Sequence, residues 1–236
     1  MKLLIITQRV DINDPNPGFF HRWVEEFSKY CEKITVICLG KGEYHLPDNV
    51  KVLSLGKDEG VSKFVYMLRF YKYIFQERKD YDDVFVHMNQ EYVLLGGLLW
   101  QFIGKKIMMW RNHPVGGFLT DAAVFLSDKV FCTSSQSYTA SFSKTKIMPV
   151  GIDTSFFIDK GRGRIKNSLL ILGRIAPVKK QEFIIDAFRI LREKGTPFTA
   201  HFTGDAAPKD LYYYNMLQKK VSEAGMSESV SFKKAI

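Results

Sequence analysis

The residues best suited to chemistry stand in LLILGRIAPVKKQEFIIDAFRIL, residues 169–191, where an apolar run ends in Gly173-Arg174 and a short loop leads into an amphipathic helix containing Lys179. Glycine at a strand end lets the backbone turn sharply, and a helix start offers unpaired N–H groups and the positive end of the helix dipole. Two cations five residues apart around such a loop suit a diphosphate. In a water-shielded crevice they would stabilise negative charge building on a departing diphosphate. The same spacing also occurs on solvated surfaces, so by itself it leaves both readings open.

Three further places have the right residue types. In KKIMMWRNHPVGG, His113 falls just past the end of an apolar strand, where open parallel sheets hold ligands, although a lone histidine there is often structural. The first strand runs into QRVDINDPNPGFFHRWVEEFSKY, a loop with Pro15, Pro17 and Gly18 ahead of a helix expected to carry Trp23, Phe27 and Tyr30 on one face. In HFTGDAAPKDL, Gly204 and Asp205 form a turn in which Asp205 either borders a ligand or caps the next helix. Other groupings fail. Asp82 and Asp83 are adjacent at a strand start and make a poor acid–base pair, no Asp-x-Asp metal motif occurs, and Ser134, Ser135 and Ser137 lack a G-x-S-x-G elbow.

Elements able to position these residues follow from the hydrophobic pattern. Short apolar runs alternate with longer segments of helical period, which is the signature of βαβ units and a parallel sheet. Strands are expected at 3–7, 34–39, 50–53, 84–87, 106–110, 129–133 and 146–148, with helices at 19–30, 61–77, 91–103 and 119–126. That is one complete doubly wound domain over residues 1–150. Residues 151–167, interrupted by Gly151, Gly161 and Gly163 and basic from Lys160 to Lys166, read as a linker. Residues 168–236 read as a partial second domain: strands 168–172, 199–203 and 229–232, helices 179–194 and 208–224.

Bulk composition narrows the class. With 236 residues, 46% of them hydrophobic, the chain can bury a core, and the run from Tyr92 to Ile103 is too short to span a bilayer. The start MKLLIITQRVD does not read as a signal peptide, so a cytoplasmic protein is expected. Cys31, Cys38 and Cys132 have no CxxC pairing and suggest buried free thiols. A net charge of +9 suits an anionic partner: nucleotide-sugar, anionic lipid surface or nucleic acid. Residues 63–81, KFVYMLRFYKYIFQERKDY, mix five cations with aromatics, as either a core helix with a basic rim or a helix docking on an anionic membrane.

GRIAPVKKQEFIIDAF resembles the GR-x-x-x-x-K-G loop and following helix of GT-B glycosyltransferases of family four, and MPVGIDTSFF resembles that family's linker motif. Val150 and Lys180 depart from it, standing where Asn and Gly are usual. HFTGDAAPKDL is similar to the family's G-D-G-P turn, with Ala206 in place of the second glycine. The resemblance covers essentially the whole chain. It implies an α/β fold of GT-B type: a complete N-terminal Rossmann-like domain on the acceptor side, facing the first part of a second one on the donor side.

By position, Arg174 and Lys179 would hold the donor pyrophosphate, with Gly18, Gly204 and Asp205 also on the donor's side. His113 would line the sugar site, and Phe19 and Asp11 would border the acceptor. The implied reaction is a retaining, metal-independent hexosyl transfer from a nucleotide-sugar to a glycan or lipid-linked acceptor, as in polysaccharide biosynthesis. No cofactor is implied, the nucleotide-sugar being a substrate, and contact with the inner membrane face is expected to be peripheral. The family's later glutamate pair is missing, so the chain is expected to be truncated. The alternatives are a non-catalytic remnant or half-enzyme that binds acceptor or needs a separate C-terminal chain, and a basic nucleic-acid-binding protein. For the last, no helix-turn-helix, zinc finger or RNP-like segment is evident.

Overall fold

The structure, a computed structural model, describes residues 1–14, 18–155, 157–158, 161 and 163–235. Pro15 and Pro17 of the first loop, and Phe156, Lys160 and Arg162 of the expected linker, lie outside the described residues. The chain divides into two compact units, Met1–Ile152 and Asp153–Ile236.

In the first unit, seven strands run parallel in one sheet: β1 (Lys2–Val10), β2 (Lys33–Lys41), β3 (Val50–Ser54), β4 (Asp83–His87), β5 (Lys106–Trp110), β6 (Lys129–Cys132) and β7 (Thr145–Ile147). Their order is β3-β2-β1-β4-β5-β6-β7. The central runs LLIIT and VFVH are buried on both faces, as parallel strands covered by helices must be. Helix α1 (Phe19–Ser28) packs on one face through Phe20 and Val24. Helices α2 (Lys63–Gln76), α3 (Gln90–Phe102) and α4 (Phe118–Leu126) pack on the other through Phe70, Ile74, Trp100 and Val124. Trp100 is fully buried, and its indole N–H donates to the Tyr81 hydroxyl at 3.2 Å, which donates to the Ile74 carbonyl at 2.9 Å. The indole lies against Gly96, where an added Cβ would stand 2.6 Å from its ring.

The second unit has a parallel sheet of β8 (Ser168–Leu172), β9 (Thr199–Thr203) and β10 (Val230–Lys233), in the order β10-β9-β8. Helices α5 (Gln181–Glu193) and α6 (Leu211–Glu223) pack against it, burying Ile185, Phe188, Leu217 and Val221 against Ala200 and Phe202, while Leu170 and Leu172 of β8 stay exposed. Between β7 and β8 no described residue lies in a helix or strand.

Three expectations from the sequence need correcting. Helix α1 ends at Ser28, whose hydroxyl donates to the Glu25 carbonyl, so Tyr30 lies past the helix and is exposed rather than sharing a face with Trp23 and Phe27. Lys179 is not in α5. It closes a 3-10 turn, Pro177–Lys179, and Lys180 then takes a left-handed conformation at φ 55° before the helix begins at Gln181. Likewise Pro208–Asp210 forms a separate 3-10 turn ahead of α6. Proline presets a first-turn φ, which starts each turn, and the left-handed residue ends the first of them.

Two stability outcomes follow. Gly96→Ala should destabilise the chain by about 1–3 kcal/mol through overpacking against Trp100, and Trp100→Phe should cost less in that background than alone. Lys180→Gly should stabilise by about 0.5–1 kcal/mol, since glycine bears no Cβ in the left-handed region. Urea unfolding midpoints measure both; a lower midpoint for Lys180→Gly would contradict the assigned backbone.

Candidate functional site

The sheet order of the first unit reverses between β1 and β4, because β1 leads by α1 to β2 on one side while β4 leads by α3 to β5 on the other. The carboxyl ends of such strands open a crevice between loops that leave on opposite faces. Here His87, the last residue of β4, is buried, with Nδ1 3.3 Å from the Thr7 hydroxyl. Its ring stacks on Phe20 at 4.0 Å and 14°. Burial pushes its pKa down to about 4, so the imidazole is neutral near pH 7. Trp23 stands 5.7 Å from His87 and meets Trp110 edge-on at 5.0 Å. The Gln8 amide donates to Asn89 at 2.9 Å, tying the ends of β1 and β4, and Met88 between them has φ 69°.

Three residues singled out from sequence lie at the start of α1 and in the loop before it. Phe19 is exposed and approaches His87 edge-on at 6.1 Å. Gly18 precedes α1, and a Cβ there would stand 2.4 Å from the Asp14 carbonyl oxygen, to which its own N–H donates. Close backbone packing inside the loop thus requires glycine at 18. Asp11 is buried in the same loop, accepting from the Arg9 guanidinium at 3.1 Å and the Asn13 N–H at 3.0 Å. The Asn13 N–H, with Arg9 beside it, holds the Asp11 carboxyl below the usual range. Asp11 therefore braces the loop and orients Arg9.

His113 follows β5 and is exposed. Its Nδ1 lies 3.1 Å from the Val115 N and 3.0 Å from the Val115 carbonyl, accepting from the first or donating to the second according to tautomer. Either way Nδ1 is engaged, and Nε2 has no partner among the described residues. Arg111 holds the same turn by donating to the carbonyls of His113 and Val115 at 3.3 and 2.8 Å. Gln90, Arg111, His113 and Phe118 line a cavity of about 460 Å³ at this edge of the sheet. The Gln90 Oε1 is buried there without a hydrogen-bond partner among the described residues.

In the second unit, β8 and β9 are followed directly by Gly173 and Gly204, at φ 145° and 148°. A Cβ on Gly204 would stand 2.1 Å from the Gly173 carbonyl oxygen. The two turns therefore close into a floor without side chains. Arg174 and Lys179 are exposed on the loop that continues from it. Gln181, almost fully buried at the start of α5, donates to the Arg174 carbonyl at 2.9 Å and fixes where that loop stands. Asp205 does not cap a helix; its Oδ1 is 3.5 Å from the Ala235 N–H, across the ends of β9 and β10.

Four residues of this geometry were not singled out from sequence: His87, Gln90, Arg111 and Gln181. For His87 the signal existed, because it too stands at the end of an apolar run. The other three act through backbone carbonyls or an unmet acceptor, which leave no pattern in sequence. Among the described residues no group of three or more His, Cys, Asp or Glu side chains could hold a metal ion, and the three cysteines are buried and free.

The depressed His87 pKa fixes a pH dependence. The unfolded imidazole titrates near 6.5 and the folded one near 4, so the unfolded state binds more protons in between. Stability should be complete above about pH 6.5 and fall by up to about 3 kcal/mol as pH drops to 4. His87→Phe should flatten that slope, and an unchanged slope between about pH 7 and 5 in urea titrations would refute the assignment.

No protein-family model matches this sequence, and no curated protein matches it. Solved structures do resemble it in shape. HepE from Anabaena in complex with UDP is 18% identical, with a TM-score of 0.74 over 100% of this chain and 70% of that one. Sucrose-phosphate synthase from Thermosynechococcus elongatus is 11% identical, with a TM-score of 0.70 over 100% and 71%. WaaG, a glycosyltransferase involved in lipopolysaccharide biosynthesis, is 12% identical, with a TM-score of 0.60 over 99% and 70%. The chain has the α/β fold of the Rossmann-like domains of GT-B glycosyltransferases.

Proposed function

We propose that this chain is part of a GT-B glycosyltransferase of family four that moves a sugar from a nucleotide-sugar to a glycan or lipid-linked acceptor. The reading assigns residues 1–150 to the acceptor side, 151–167 to a linker and 168–236 to the donor side. The observation that carries it is the glycine floor of the second unit: Gly173 and Gly204 leave the ends of β8 and β9 free of side chains, directly before a loop bearing Arg174 and Lys179. A floor of that kind lets a diphosphate approach the backbone closely, while the guanidinium and ammonium neutralise it. HepE, which shares the fold, has been crystallised with UDP and with UDP-glucose.

In this reading the acceptor hydroxyl attacks the anomeric carbon with retention of configuration and without a metal ion. Arg174 and Lys179 stabilise charge on the leaving nucleoside diphosphate. His113, held at Nδ1 by Val115, offers Nε2 to a sugar hydroxyl and orients the ring. Gly18 and Asp205 border the donor, and Phe19, over the loop braced by Asp11, borders the acceptor. The protein is cytoplasmic and touches an anionic membrane peripherally. No helix among the described residues is long and apolar enough to cross one.

Calorimetric titration of the chain with UDP tests the donor site. The expected Kd is micromolar, unchanged by EDTA, and weakened about tenfold or more in Arg174→Ala and in Lys179→Ala. His113→Ala should leave UDP affinity within about twofold while lowering turnover of UDP-glucose about 100-fold. Absence of UDP binding would favour the half-enzyme reading, in which the first unit binds acceptor alone.

A further inference from the structure

The outer surface of the first unit carries an apolar layer on α2, α3 and α4, and for residues 63–81 the sequence leaves a core helix with a basic rim and a membrane-docking helix both open. On α2 only Phe70 and Ile74 are fully buried. Phe64, Leu68 and Phe75 follow helical spacing along one outward stripe, with Phe64 62% and Phe75 57% exposed. Helix α3 adds Leu98 and Phe102, 70% and 90% exposed, and α4 adds Phe125 at 78%. These helices lie side by side: the Tyr71 hydroxyl donates to the Leu95 carbonyl at 3.0 Å, and the Gln101 amide to the Leu126 carbonyl at 3.0 Å. Four phenyl groups at these exposures present on the order of 500 Å² of apolar surface, at the upper end of what a soluble monomer shows.

Charge identifies what covers this layer. From Val61 to Gln76 there is no acidic residue. Lys63 and Lys72 flank the phenyl stripe on α2, and Lys79 follows it; none of the three forms an ion pair among the described residues. Arg78 lies 4.2 Å over the Phe75 ring. Lys144 closes the far end, donating to the Phe125 carbonyl. Phenyl and leucyl groups spread over three neighbouring helices and edged by lysines suit a broad surface that is apolar just below a negatively charged plane.

We propose that the α2–α3–α4 face docks on a bilayer rich in anionic phospholipid, with Phe64, Phe75, Leu98, Phe102 and Phe125 entering the headgroup region and Lys63, Lys72 and Lys79 meeting lipid phosphates. This deepens the peripheral membrane contact of the proposed function, yet it stands on the first unit's surface alone. UDP titration reads the second unit's loop, so either reading can fail without the other.

The test is co-sedimentation of the full 236-residue chain with vesicles of phosphatidylcholine alone or with about one-third phosphatidylglycerol. Binding is expected to the anionic vesicles only, and to weaken with salt. The double variant Lys63→Ala/Lys72→Ala should lower the partition coefficient about tenfold or more. Leu98→Ser/Phe102→Ser should also lower it about tenfold or more while leaving the urea midpoint in place, because both side chains point to solvent. Retained binding in the Leu98→Ser/Phe102→Ser variant would overturn the proposal, since charge alone would then account for it. So would absence of binding to anionic vesicles, or a dimer in analytical ultracentrifugation that the same variant dissolves, which would assign the face to a second copy.

Discussion

Parallel pairing in strict register is the constraint on which the rest depends, because it brings the carboxyl ends of all strands to one edge and hands each the same exit. In the first unit, Ile6 pairs with Val86 and His87 with Trp110, so Thr7, His87 and the turn beginning at Arg111 emerge at one level. In the second, Leu172 pairs with Thr203 and Thr203 with Lys233, so Gly173 and Gly204 leave their strands side by side. A Cβ on Gly204 would collide with the Gly173 carbonyl. The contact between Gly204 and the Gly173 carbonyl therefore follows from register, and the bare floor follows from the contact.

Loops at these edges are held mainly by hydrogen bonds between their side chains and their own backbone. Arg111 spans the turn that contains His113, Gln181 ties down the Arg174 carbonyl, and Asp11 closes on Asn13 and Arg9. Arg111 and Gln181 are spent on backbone carbonyls alone, which fixes a loop without consuming the side chains that point outward from it. His113 keeps one ring nitrogen for other work for this reason.

Much of this was legible in the sequence. Strands β5, β8 and β9 could be bounded from the sequence pattern alone, and Gly173, Gly204 and His113 were expected just past strand ends, where the structure has them. What escaped has physical causes. Two prolines each open a 3-10 turn that periodicity reads as helix, which moved Lys179 off α5 and onto the loop. The left-handed Lys180 occupies a position where glycine would have announced itself. Tyr30 was misplaced because a helix's stopping point depends on local carbonyl bonding rather than on its apolar stripe. Amphipathicity also gave α2 an apolar face without saying which of two apolar arcs the sheet would take.

The aromatic cluster at the switch between β1 and β4 has an optical consequence. Of the three tryptophans, Trp23 and Trp110 stand 5.0 Å apart beside a neutral imidazole, while Trp100 is sealed in the opposite layer. Protonated imidazole quenches indole emission, so with His87 uncharged above its pKa of about 4 the pair emits unquenched by it at neutral pH. Phe19, exposed and 5.7 Å from Trp23, links that pair to the solvent side of the crevice. The fold thus carries one fluorophore pair at the crevice between β1 and β4, and a second, insulated indole as an internal reference.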